Sequence, residues 1–258
     1  MLGHVIRHTA TCFTGDSVIP ISALDDLKAR ILKIGNHIYP EAQDWRNIDE
    51  MWTGLCKVDR RYGSLVYNAV KLLPETQVLG TYVTRFLVDH GFFKLAAITD
   101  INFRIDAPNE LKYLFGWHQD YWFGMASSKA YVGWLPVTGT DDQIGGVDIL
   151  DMKQPLDLLR TKKGDQYNSY ADAIVLDQRL PEGNVIQPEV APGNVLFFSY
   201  MDLHRSRPNM STDRCRWTIQ VRMVDLADPE FLKAEYRPTT VNENSIPFLR
   251  ENEHSYSV

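Results

Sequence analysis

Cysteine is scarce in this chain: three among 258 residues, Cys12, Cys56 and Cys215, far apart in sequence. Their spacing matches no disulfide framework and no cysteine-built zinc module, and it suits a reducing cytoplasm. No apolar run approaches the length of a bilayer-spanning helix, so no membrane association is expected. The opening stretch "MLGHVIRHTATCFTGD" lacks the apolar core of an export signal, which makes cytoplasmic localisation the expectation. Positive charge is neither abundant nor massed, and the net charge is -6. A nucleic-acid partner is therefore not expected, and a large polyanionic substrate is disfavoured. The sequon "NMS" at Asn209 would need a secretory route to matter. Internal repeats and low-complexity tracts are missing too, and nothing in the pattern fixes an oligomeric state.

What is present reads as a globular protein, 44% hydrophobic and 23% charged, organised as a single domain over residues 1–258. In "IPISALDDLKARILKIGNHIY", Leu24, Leu27, Ile31 and Ile34 recur at helical spacing, with Ser22 as the expected N-cap. "RRYGSLVYNAVKLLPETQVLGTYVTRFLVDHGF" continues in helical pieces broken near Pro74 and at Gly91. Residues 1–94 are accordingly read as mostly helical support. The pattern then changes. "LAAITDINFRID" alternates, with Ile101, Phe103 and Ile105 on one side and Asn102, Arg104 and Asp106 on the other. "AYVGWLPV", "GGVDILDM", "GNVLFFSY" and "RWTIQVRM" are short β-rich runs bounded by turn residues. Strands without intervening helices predict an antiparallel sandwich or barrel over about 95–225. The polar segment 151–187 has the length of a lid over a site, and 226–258 reads as a C-terminal extension.

"GWHQDYW" places His118 and Asp120 two positions apart among Trp117, Tyr121 and Trp122. In an extended segment both side chains point to one face, which offers a metal one nitrogen and one carboxylate. Aromatic packing around a turn-capping pair would give the same letters. His204, at the end of "GNVLFFSYMDLH", is the candidate third ligand; a turn histidine bonded to backbone is the alternative. Two histidines and one carboxylate leave adjacent positions open, the facial arrangement of non-haem iron oxygenases. In "RWTIQVRM", Arg216, Thr218, Gln220 and Arg222 share a face. That stripe either lines a polar cavity or meets solvent.

Taken in order, "LFGWHQDYWF", "VGWLPV", "GGVDIL", "APGNVLFFSYMDLHRSRPN" and "STDRCRWTIQVR" resemble the phytanoyl-CoA dioxygenase family over roughly residues 95–225. The resemblance implies a fold that is mainly β with flanking helices: a double-stranded β-helix (jelly roll, cupin-like) core supported by N-terminal helices. It implies Fe(II), the co-substrate 2-oxoglutarate and O2, with His118, Asp120 and His204 as iron ligands. Arg216 would clamp the distal carboxylate of 2-oxoglutarate, with Ser206 as helper and Trp134 bordering the co-substrate. The family usually has that arginine eleven residues after the second histidine, where this chain has Cys215 between Arg214 and Arg216. Arg216 is preferred because it begins the strand, with Arg214 as its competitor. The family's Pro-Gly-Ser-His after "GGVDIL" is "DMKQP" here. Related halogenases lack the carboxylate ligand, so Asp120 favours hydroxylation or another C–H oxidation. The expected substrate is a small polar molecule, with Arg104, Asn102 and Arg222 on the substrate side. A non-catalytic binding barrel and a zinc hydrolase are the competing functions; the latter lacks an HExxH-type base.

Overall fold

The computed structural model describes residues 3–41, 45–111, 114–123, 129–152, 157–159, 161–162, 175–176 and 179–229. Four helices precede most of the strands: α1 (Ile21–Ile38), α2 (Ile48–Val58), α3 (Arg60–Lys71) and α4 (Pro74–Asp89). Helix α1 buries Leu24, Leu27, Ile31 and Gly35, while Ile34 is only partly covered. Ser22 is not its cap. The helix starts at Ile21 behind Pro20, whose fixed φ suits helix entry, and no side chain caps it. Asn47 caps α2 by accepting the Glu50 amide, and Asp59 caps α3 through the Arg61 amide. Pro74 opens α4, which ends before Gly91 at a φ of 72° that favours glycine.

A six-stranded antiparallel sheet runs in the order β1-β2-β9-β4-β11-β3, built from β1 (Val5–Arg7), β2 (Phe13–Gly15), β3 (Ala96–Asp106), β4 (Ala130–Pro136), β9 (Val195–Ser199) and β11 (Arg216–Asp225). Facing it is a smaller sheet, β10-β5-β8, made of β5 (Val147–Asp151), β8 (Asn184–Ile186) and β10 (His204–Ser206). Strands β6 (Thr161–Lys162) and β7 (Val175–Leu176) pair separately. This is a double-stranded β-helix, or jelly roll, buttressed by helices. The short strands β1 and β2 lie inside the stretch that the sequence pattern reads as helical.

Alternation divides the six-stranded sheet into two chemistries. Phe103, Leu135, Phe197, Trp217, Ile219 and Val221 face the helices in one core, and α4 packs across β3 and β11. Gly133 allows this close approach, since a Cβ there would lie 2.5 Å from Val83 Cγ1. Val132, Trp134, Leu196 and Phe198 face inward, toward Val147 and Ile149 of the smaller sheet. The inward polar residues of β3 and β11 border a cavity between the sheets. About half of the 151–187 segment, the expected lid, and all of residues 230–258 lie outside the described residues. Among the described residues, no helix is long and apolar enough to cross a membrane.

Candidate metal centre

His118 and His204 meet because their backbones pair. Each amide donates to the other's carbonyl at 3.0 Å, a closely spaced antiparallel bridge that extends the smaller sheet by one residue. Their rings lie side by side, with centroids 4.2 Å apart. His204 does not end the long strand before it; β9 stops at Ser199, and His204 opens β10 after a turn. Asp120 begins a single 3-10 turn and faces the same side as His118, its Oδ1 3.4 Å from His118 Nε2 and 3.7 Å from His204 Nε2. The intervening Gln119 points away. It donates to the Met201 and Asp157 carbonyls and accepts the Leu159 amide.

All three side chains are buried, and one ligand atom from each lies within 4.8 Å of the others. The other ring nitrogens are occupied: His118 Nδ1 donates to the Gly116 carbonyl at 2.7 Å, and His204 Nδ1 to the Asp202 carbonyl at 3.0 Å. These bonds fix the tautomer and turn both Nε2 lone pairs toward Asp120, as in metal-binding histidines. Burial, with His118 alongside, pushes the His204 imidazole down to about 3, so it is neutral at pH 7. Burial also pushes Asp120 upward, but the Arg222 guanidinium beside it outweighs that and holds the carboxyl well below its usual range. Two imidazoles whose Nδ1 atoms are taken by backbone carbonyls, together with one carboxylate, form a donor set suited to a divalent transition metal.

The cluster lies in a cavity between the sheets with about 70 Å³ of free space, room for a few water molecules beside the ligand atoms. Asn102, Arg104, Trp134, Ser206, Arg216 and Arg222 border the same cavity. The polar face of β11 is therefore interior, not solvated: Arg216 is 2% exposed and Arg222 6%. Arg214 sits outside it, paired with Asp141 at 2.7 Å on the surface. Thr218, on the same stripe, buries a hydroxyl oxygen with no partner among the described residues, a vacant polar group facing the cavity. Trp117 stacks on Arg205, and Tyr121 is partly buried against the inner core. The Trp122 side chain lies outside the described residues.

Two acids escaped the sequence reading. Asp106 holds Arg104 Nη2 at 2.7 Å and Arg216 Nη2 at 2.9 Å, while Asp100 holds Arg222 Nη1 at 3.1 Å. Arg216 Nη1 also donates to the Arg207 carbonyl at 2.7 Å. Asp100 and Asp106 are separated by the same interval as Arg216 and Arg222, a match that becomes informative only once β3 and β11 are known to be neighbours. In the antiparallel β3–β11 register each acid faces its arginine.

No family model and no curated protein matches the chain in sequence. Among solved structures it is similar to apo ThoJ, described as a non-heme monooxygenase, at 11% identity and a TM-score of 0.50, over 87% of this chain and 75% of that one. It is also similar to the epimerase SnoN in complex with Fe3+, alpha ketoglutarate and nogalamycin RO (13% identity, TM-score 0.48, 83% and 79% covered). A third is EvdO2 from Micromonospora carbonacea var. aurantiaca with 2-oxoglutarate (12% identity, TM-score 0.47, 88% and 96% covered). At these identities the likeness is one of fold: a helix-buttressed double-stranded β-helix.

Proposed function

We propose that residues 1–258 form an Fe(II)- and 2-oxoglutarate-dependent oxygenase of the phytanoyl-CoA dioxygenase kind, acting on a C–H bond of a small polar molecule. The observation that carries this reading is the buried His118–Asp120–His204 cluster, its two Nε2 atoms turned inward in an arginine-lined cavity. His118, Asp120 and His204 would hold the iron. When bound, iron supplies the oxidation: O2 and 2-oxoglutarate become succinate and CO2, one oxygen atom entering succinate and the other the substrate.

The chain's own groups do the positioning. Arg216 supplies positive charge for the distal carboxylate of 2-oxoglutarate, which would have to compete with Asp106 for Nε and Nη2 because Nη1 is already on the Arg207 and Ile144 carbonyls. The Thr218 hydroxyl, without a partner among the described residues, adds a donor. Ser206 follows His204 on the same side of β10, and Trp134 and Phe198 give the cavity an apolar wall that limits water. Asn102 and Gln220, opposite each other on β3 and β11, offer amides to a polar substrate, with Arg104 beside them.

The test is aerobic incubation with ferrous iron and isotopically labelled 2-oxoglutarate, read as labelled succinate, alongside an anaerobic visible spectrum. Wild type should give succinate and a weak visible band with iron and 2-oxoglutarate; His204→Ala should give neither. Absence of both signals in folded wild type would overturn the reading.

A further inference from the structure

Asp120 uses its two oxygens differently. Oδ1 faces the histidines, whereas Oδ2 is 3.4 Å from both Nε and Nη2 of Arg222. The remaining Arg222 nitrogen, Nη1, is braced by Asp100 at 3.1 Å. One planar guanidinium thus spans two carboxylates with separate nitrogens, which a lysine ammonium cannot do. The backbone is adapted to this aim. The β3–β11 register shifts between Arg222 and Met223, and Thr99, the residue left over by the shift, donates its hydroxyl to the Arg222 carbonyl at 3.2 Å. Bulges of this sort re-aim a side chain beside a site.

Resting on the metal reading above, we propose that Arg222 is a positioning residue that holds Asp120 to one-oxygen coordination. Carboxylates bind divalent cations through one oxygen or two. With Oδ2 occupied by Arg222, Asp120 presents Oδ1 alone, and the position a second oxygen would take stays open for ligands from solution. The role sets Arg222 apart from the substrate-side residues: its donors face Asp100 and Asp120. Removing the guanidinium frees Oδ2 to swing toward the metal.

The readout is the number of exchangeable waters on Mn2+ bound to the protein, obtained from water-proton relaxation, with no co-substrate present. Wild type should show about three, the open positions of a six-coordinate ion with three protein ligands. Arg222→Met should show about two. Because that variant leaves Asp100 without its partner, Asp100→Asn/Arg222→Met is measured beside it; this exchange conserves net charge and should also show about two. Circular dichroism confirms folding. A water number equal to wild type in either folded variant, or about two in wild type itself, overturns the inference while leaving the metal reading intact. If wild type does not bind Mn2+, or binds it equally after His118→Ala, the metal reading fails and the inference falls with it.

Discussion

Asp106→Asn tests whether the arginines of the cavity are held by charge. The Asp106 carboxylate is 5% exposed and sits between Arg104 Nη2 at 2.7 Å and Arg216 Nη2 and Nε at 2.9 and 3.2 Å. At an effective dielectric near 20, unit charges 4 Å apart interact by about 4 kcal/mol. Neutralising the acid removes attraction to both cations and leaves the buried Arg216 guanidinium beside the partly buried Arg104 one. Breaking a buried pair on one side costs about 3–5 kcal/mol, and urea denaturation followed by tryptophan fluorescence at pH 7 should show a loss of that size. Burial pushes the Asp106 carboxyl up, but the arginines outweigh it and the net shift is downward. Its contribution is therefore present above the ordinary carboxylate value of 3.8 and fades as the pH falls below it, so the two stability curves should converge on acidification. An acid ligand should also raise the variant's unfolding midpoint more than wild type's, since it supplies the missing negative charge. A loss under about 1 kcal/mol at pH 7, the scale of an exposed pair, would refute the reasoning.

Gly133→Ala places a Cβ 2.5 Å from Val83 Cγ1 and 3.2 Å from Met223 Cε, and overpacking of this kind should cost about 1–3 kcal/mol, read as a lower thermal midpoint. Gln119→Ala removes the acceptor of the Leu159 amide at 2.8 Å; hydrogen exchange at that amide should accelerate about tenfold, the equivalent of one modest hydrogen bond, while Mn2+ affinity holds.

The helical half was legible from apolar spacing, though at α1 Gly35, not Ile34, completes the buried stripe, because a glycine lets Met51 of α2 pack directly onto the helix backbone. The strands of the β core were legible from alternation. By contrast, β1 and β2 span three residues each, too short for a period to show, and they are strands only because the edge of β9 templates them. The cluster's members were readable from the His118–Asp120 spacing and from His204 behind a strong strand, although Asp120 reaches the side of His118 from a 3-10 turn and not by strand alternation. Which backbone His204 pairs with was not readable, since β10 is defined by its partners. Nor were the acids behind Arg216 and Arg222, because cross-strand neighbours follow from register, and register emerges only once β3 is known to lie beside β11.

Both imidazoles are steered by main-chain oxygens, those of Gly116 and Asp202, rather than by carboxylate side chains. A side chain at 116 can therefore change without moving its steering atom, whereas Asp202 also shapes its own turn, its carboxylate accepting the Ser199 amide at 2.8 Å and the Thr11 hydroxyl at 2.6 Å. Inserting or deleting one residue in either approach would rotate both carbonyls away, so loop length is what selection must guard.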